Sequence, residues 1–136
     1  MEVRLIGIHY PNEIKKGVDL WGSEVVAQSS RFGFKPSTKA ILVVKLKAVS
    51  KSLGLWVDIA TLYPTFLACY LSILIDKDSR FIKAVLRCTK RIVRANKSVL
   101  LVENLTGTIS ANAEIDRSNT SHNPNVVLNS SRRYRF

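Results

Sequence analysis

Residues 59–75 carry no charged side chain, in a chain of 136 residues that otherwise holds 21 Lys and Arg and 10 Asp and Glu. A run of this kind either crosses a bilayer or is buried by the rest of the protein. Crossing needs about 20 apolar residues in helical form. Here Pro64 interrupts the run and Asp58 flanks it, so the run reads as a largely buried helix. It is expected from Thr65 to about Ile75, with Pro64 just before its first turn. No membrane partner is expected. A buried helix requires a body to bury it, and the length and the 46% hydrophobic content suit one domain with its own core.

The next segment is amphipathic. Phe81, Ile82, Val85, Leu86, Thr89, Ile92 and Val93 recur at helical spacing, which predicts a helix over residues 79–95. Its opposite face would be basic: Arg80, Lys83, Arg87, Lys90, Arg91, Arg94 and Lys97. After it, residues 99–103 and 108–112 read as a hairpin with Asn104 and Gly107 at the turn. Before the uncharged run, residues 2–8 alternate apolar and polar side chains and suit a first strand. Asp19 suits the cap of a short helix reaching about Ser30, with Leu20, Val25 and Val26 facing inward. Residues 41–49 are rich in β-branched side chains and read as a strand, followed by a turn over 50–54. The sum is an α+β fold, a β-sheet with helices packed against it.

Composition narrows the function classes. The net charge of +11 suits nucleic acid, anionic lipid or a phosphorylated ligand. Cys69 and Cys88 have neither disulfide-framework nor zinc spacing. The chain opens with no charged stretch followed by an apolar stretch, so no signal peptide is expected and the protein reads as cytoplasmic. Neither a GxxxxGK phosphate loop nor an HExxH metal motif occurs. His9 and His122 fall in expected loops without a partner pattern.

Chemistry concentrates after the hairpin. Residues 110–119, Ser-Ala-Asn-Ala-Glu-Ile-Asp-Arg-Ser-Asn, end in a cluster of a carboxylate, a guanidinium, a hydroxyl and amides. Asp116 presents oxygen ligands suited to Mg²⁺ or Mn²⁺. Asn119 could orient a phosphate or a base. The same residues also make an ordinary polar turn after a strand.

Taken in order, these residues carry a resemblance. Leu42-Val43-Val44, then Val49-Ser50-Lys51-Ser52 with Gly54, then Arg87, Lys90-Arg91-Ile92-Val93-Arg94, then Leu100-Leu101-Val102, then Ala111-Asn112-Ala113, Ile115-Asp116 and Ser118-Asn119 follow one another. This ordered set resembles the N-terminal half of the coenzyme F420-0:L-glutamate ligase family over residues 3–127. The resemblance implies a partial ligase domain over 1–128. It implies GTP- and divalent-metal-dependent joining of L-glutamate to F420-0, a step of coenzyme F420 biosynthesis. In such chemistry a phosphoryl group activates a carboxylate as an acyl phosphate, and the glutamate amine then forms the amide. Divalent metal, Mg²⁺ or Mn²⁺, neutralises the phosphate charge.

By the same resemblance, Asp116 matches a metal ligand, Asn119 a nucleotide contact and Lys51 a nucleotide-phosphate contact. Pro11, Asn12, Glu13 and Ile14 align with a nucleotide-contacting loop, and Leu46 and Lys47 with a second nucleotide-contacting stretch. A homodimer with the site near the subunit interface is implied too, or a separate chain that completes the site.

The departures are specific. Glu114 stands where the family motif usually has Gly, Leu46 where a polar side chain is usual, and Leu53 where an acid is usual. The family's second half, with further metal-binding carboxylates and a Gly-rich nucleotide segment, has no counterpart in these residues. The isolated chain is therefore expected to be truncated and inactive. The basic tail over 129–136, Asn-Ser-Ser-Arg-Arg-Tyr-Arg-Phe, is expected to be out of frame after Leu128. The same bases read one position later can encode Thr-Leu-Pro-Asp-Asp-Ile-Asp. Two alternatives stand beside the ligase reading: a basic module that binds nucleic acid or phosphate, and a non-functional decayed fragment.

Overall fold

The carboxylate of Asp19 starts the first helix. Its two oxygens accept the backbone N–H groups of Gly22 and Ser23, each at 3.1 Å. Gly22 takes the cap position expected for Asp19, which instead supports the start of helix α1, Ser23–Arg31. Its inward face is more polar than expected. Leu20 just before it is buried, but Val26 is exposed while Gln28 and Ser29 are buried. The computed structural model describes residues 4–20, 22–37, 39–117 and 125–127. Asn119, His122 and the tail over 129–136 lie outside them.

Chain contacts divide the protein into two units, Met1–Gly54 and Leu55–Phe136. In the first, residues 4–8 and 41–45 form no strand, and Leu5, Ile41 and Val43 are almost fully exposed. The expected strand over 41–49 gives way to helix α2, Leu46–Ser52. β-branched side chains favour a strand only where a pleated, half-buried surface receives them. The expected turn over 50–54 shrinks to Leu53 and Gly54, the latter at φ 68°. The Gly17 N–H donates to the Ser52 carbonyl at 2.8 Å and ties the 11–17 loop to the end of α2.

The second unit holds the core. Strand β1 (Trp56–Asp58) pairs antiparallel with β5 (Asn125–Val127). The uncharged run becomes helix α3, Phe66–Ile75, with the Thr65 Oγ1 accepting the Ala68 N–H at 3.4 Å. Only the Ala68, Leu71, Ile75 stripe is buried. Phe66 and Ile73 are at least 85% exposed, and Tyr63 and Tyr70 also face outward. The expectation of a largely buried helix therefore holds for one face. Asp78 caps α4 (Ser79–Arg87), accepting the Arg80 N–H at 2.7 Å.

The predicted helix over 79–95 ends early. Residues Thr89–Asn96 form strand β2, paired with β3 (Val99–Asn104), which pairs with β4 (Ile109–Ala111), all antiparallel. Register shifts interrupt the β2–β3 ladder between Thr89 and Arg91 and between Ile92 and Arg94. Each extra residue resets the alternation of sides. The half-buried positions of β2 therefore fall at Thr89, Ile92 and Ala95, a spacing of three that imitates a helix in sequence. Helices α3 and α4 pack with Leu100 and Val102 of β3 and with Ala113 and Ile115 in one apolar core. A fully buried side chain of this size contributes about 1.5–3 kcal/mol.

The hairpin over β3 and β4 forms as expected. Asn104 is fully buried at its corner, and its Oδ1 accepts from the Thr106 and Thr108 N–H groups, each at 3.0 Å, and from the Thr106 hydroxyl at 2.6 Å. Gly107 takes φ 89° in the turn. Among the described residues the architecture is α+β, with four α-helices, a three-stranded antiparallel sheet and the β1–β5 pair. Among the described residues no helix is long and apolar enough to cross a membrane.

Candidate functional site

The segment after β4 turns with an unusual backbone. Asn112, Ala113 and Glu114 take φ values of 51°, 53° and 60°, three successive left-handed residues in a short 3-10 turn, Asn112–Glu114. Asn tolerates this region, whereas Ala and Glu are held there against a cost of about 1–2 kcal/mol per residue. The turn is fixed from several sides. Ala113 and Ile115 are buried in the core, the Ile115 N–H donates to the Asn112 carbonyl at 3.0 Å, and the Asn112 Oδ1 accepts the Leu100 N–H at 3.3 Å. Strain of this kind persists only where the surroundings over-determine it. Its effect is to redirect the chain after Ala113 so that Asp116 and Arg117 emerge together beside helix α4.

They emerge into a cleft of about 280 Å³ lined by Lys77, Phe81, Asn112, Ile115, Asp116 and Arg117. Three chain segments build it. Lys77 comes from the corner between α3 and α4, where Asp76 takes the left-handed conformation. Phe81 comes from the first turns of α4, buried with its ring toward the cleft. The rest come from the redirected segment. The Lys77 ammonium lies 5.5 Å from the Phe81 ring centroid, and the Arg117 guanidinium 5.7 Å from the same centroid. Both are within cation–π range. Asp116 thus shares its cleft with two cations held on one aromatic ring.

Nearby electrostatics favour ionised carboxylates. Arg80 donates to both oxygens of Asp78 and holds its carboxyl below the usual range, with Arg117 adding a smaller attraction. On the hairpin, Glu103 accepts from Lys90 at 2.9 Å and from Arg91 at 2.9 and 3.1 Å, and its carboxyl is likewise lowered. The continuous basic helix face expected from sequence is therefore not formed. Lys90, Arg91, Arg94 and Lys97 belong to β2 and its turn, two of them pair with Glu103, and Arg80 pairs with Asp78.

In the first unit, α2 places Lys47 and Lys51 one helical turn apart, just after Leu46. Leu46 is exposed. The Lys51 ammonium lies 3.9 Å from the Glu13 carboxylate, so the expected phosphate-contacting lysine meets the expected nucleotide-contacting loop there. Pro11 and Asn12 are exposed in the same loop, and Ile14 is half-buried. Asn119 lies outside the described residues. The donor chemistry of Asp116 fits one hard-oxygen ligand to Mg²⁺ or Mn²⁺. Among the described residues, no three His, Cys, Asp or Glu side chains gather into a metal cage. Lys77 and Phe81 were missed as site residues by sequence reasoning, and Arg117 and Asn112 had no assigned role. Adjacency to Asp116 was the only available signal for Arg117, and none existed for Lys77, which the fold brings from forty positions away.

A family model described as F420-0:Gamma-glutamyl ligase matches residues 7–130. The chain is similar to the coenzyme F420:L-glutamate ligase of Methanopyrus kandleri, at 26% identity over 126 residues. That alignment takes in 93% of this chain and 48% of the relative, so the chain spans about half the relative's length.

Proposed function

Because this chain belongs to the F420-0:gamma-glutamyl ligase family, we propose that it provides part of the site for GTP- and divalent-metal-dependent ligation of L-glutamate to F420-0. The observation that carries the reading is the placement of Asp116. The family motif delivers its carboxylate into a cleft together with cationic side chains, the combination that metal-assisted phosphoryl chemistry uses. Asp116 would hold Mg²⁺ or Mn²⁺, with further oxygen ligands from outside this set of residues. The metal, when bound, neutralises phosphate charge. In the first unit, Lys51 on α2, with Lys47 and the loop of Pro11, Asn12, Glu13 and Ile14, would contact the nucleotide, as would Asn119.

The 136 residues alone are proposed not to complete the reaction, since the single carboxylate of Asp116 supplies too few ligands for the pair of metal ions such a triphosphate needs. A second copy or a separate chain would complete the site. The exposed, uncharged stripe of Tyr63, Phe66, Tyr70 and Ile73 on and before α3 supports a homodimer. Action in the cytoplasm, where GTP is supplied, is part of the proposal.

Calorimetry tests the reading. GTP is expected to bind weakly and more tightly with Mn²⁺, and Asp116→Ala should remove the Mn²⁺-dependent part. Metal-dependent GTP binding that survives this substitution unchanged would remove Asp116 from its role. Incubating the purified chain with F420-0, GTP, Mg²⁺ and L-glutamate should give no product above a protein-free control. Turnover in a preparation free of host ligase would contradict the proposed incompleteness.

A further inference from the structure

We infer that Lys77 and Arg117, both resting on the Phe81 ring, form a cationic clamp that takes the polyphosphate of a nucleotide in the cleft of Asp116. The inference rests on the ligase reading for the identity of the nucleotide and on the geometry of the cleft for the clamp itself.

Long basic side chains are poor ligand contacts when they roam, because binding must then order them. Here one buried ring restrains both. Phe81 is 4% exposed and set in α4, and its face carries the Lys77 ammonium at 5.5 Å and the Arg117 guanidinium at 5.7 Å. Phe81 therefore acts as a positioning residue, a shared aromatic support that draws both cations to one cleft. The two differ in what they give. Arg117 presents a planar fork that can grip two oxygens of one phosphate, and Lys77 a compact charge that can bridge neighbouring phosphates.

Size and charge select the ligand class. The cleft of about 280 Å³ is at or below the lower end of small-molecule sites, about 300–1,000 Å³. A short chain of phosphates suits a cleft of this size and charge. Two cations against the single carboxylate of Asp116 leave the cleft with a net positive charge, which a divalent ion on Asp116 would raise further. Such a cleft favours a multiply charged anion bound with its metal over a monoanion. Arg117 also faces Asp78 electrostatically, but Asp78 is engaged by Arg80 at 2.9 Å, so the Arg117 fork is not consumed by that carboxylate.

The test uses tripolyphosphate as the probe on the full chain, by calorimetry, with and without Mn²⁺. Lys77→Gln and Arg117→Gln should each weaken metal-free binding about tenfold, the equivalent of one charge-assisted hydrogen bond, and the double variant should weaken it further. Asp116→Asn should leave metal-free binding intact or tighter and abolish the gain from Mn²⁺. Arg94→Gln, on β2 outside the cleft lining, should change binding less than twofold. Unchanged affinity in the double variant overturns the clamp, and so does an equal loss in the Arg94 variant, which would mean diffuse charge attraction. GTP titrations separate the clamp from the ligase reading. Tripolyphosphate held through Lys77 and Arg117 with no preference for GTP over ATP keeps the clamp and counts against the ligase reading. GTP-selective binding indifferent to both substitutions keeps the ligase reading and ends the clamp.

Discussion

The side-chain amide of Asn112 takes the backbone N–H of Leu100 at 3.3 Å, so the left-handed turn after the hairpin is pinned to the middle strand of the sheet. Leu100 is fully buried, and its N–H has no water to turn to. Asn112→Ala should cost about 1–3 kcal/mol by orphaning that donor and by placing a less tolerant residue at φ 51°. Asn112→Gly keeps the backbone freedom and loses only the hydrogen bond. Urea denaturation of both variants should show Ala more destabilising than Gly; the reverse order would mean that backbone strain at this position is negligible.

Glu114 occupies the position where the family motif usually has Gly, and its φ is 60°. Glu114→Gly should relieve a left-handed side chain worth about 1–2 kcal/mol, partly offset by the greater unfolded-state freedom of Gly. A net stabilisation of about 1 kcal/mol is expected. A higher thermal midpoint supports the strained turn, and a lower one rules it out.

Asp78 links helix stability to pH. The hydrogen bonds from Arg80 hold its carboxyl below its ordinary value of 3.8, so the native state binds fewer protons than the unfolded chain as acid is added. Its contribution is present above that ordinary value and is lost as pH falls through the lowered one. Glu103, lowered by Lys90 and then Arg91, acts with the same sign. Asp78→Ala should cost about 1 kcal/mol at neutral pH through the lost cap. The gap between wild type and variant should narrow in acid, measured by urea denaturation from neutral pH down to about pH 3. A gap that widens in acid would refute the assignment.

The two thiols should behave oppositely. Cys69 is exposed and Cys88 buried, and burial pushes the Cys88 thiol up to about 11, with Arg87 pulling weakly the other way. Thiolate is the reacting form. Iodoacetamide at about pH 8, near the ordinary thiol range, should add one label to the native chain, at Cys69, and a second only in denaturant. Mass spectrometry reads the count. Rapid labelling of both sites without denaturant would contradict the core placement of Cys88.

What the sequence determined by itself was local. Pro64 and Thr65 mark the start of α3, Asp19 accepts the N–H groups that open α1, and Asn104 with Gly107 makes the hairpin corner, because a helix start or a turn is decided by residues a few positions apart. The ordered motif through Asp116 was likewise legible and identified the family. Tertiary structure decided the rest. Residues 89–95 have the spacing of a helix, yet they pair with β3, where two register shifts create that spacing in a strand. Residues 41–49 are rich in β-branched side chains, yet 41–45 form no strand and 46–49 begin α2. Lys77 and Arg117 are forty positions apart and share one aromatic ring. The physical reason is common to these cases. Periodicity and composition report which side chains seek burial, and only the packed partner decides which backbone geometry and which distant neighbour provide it.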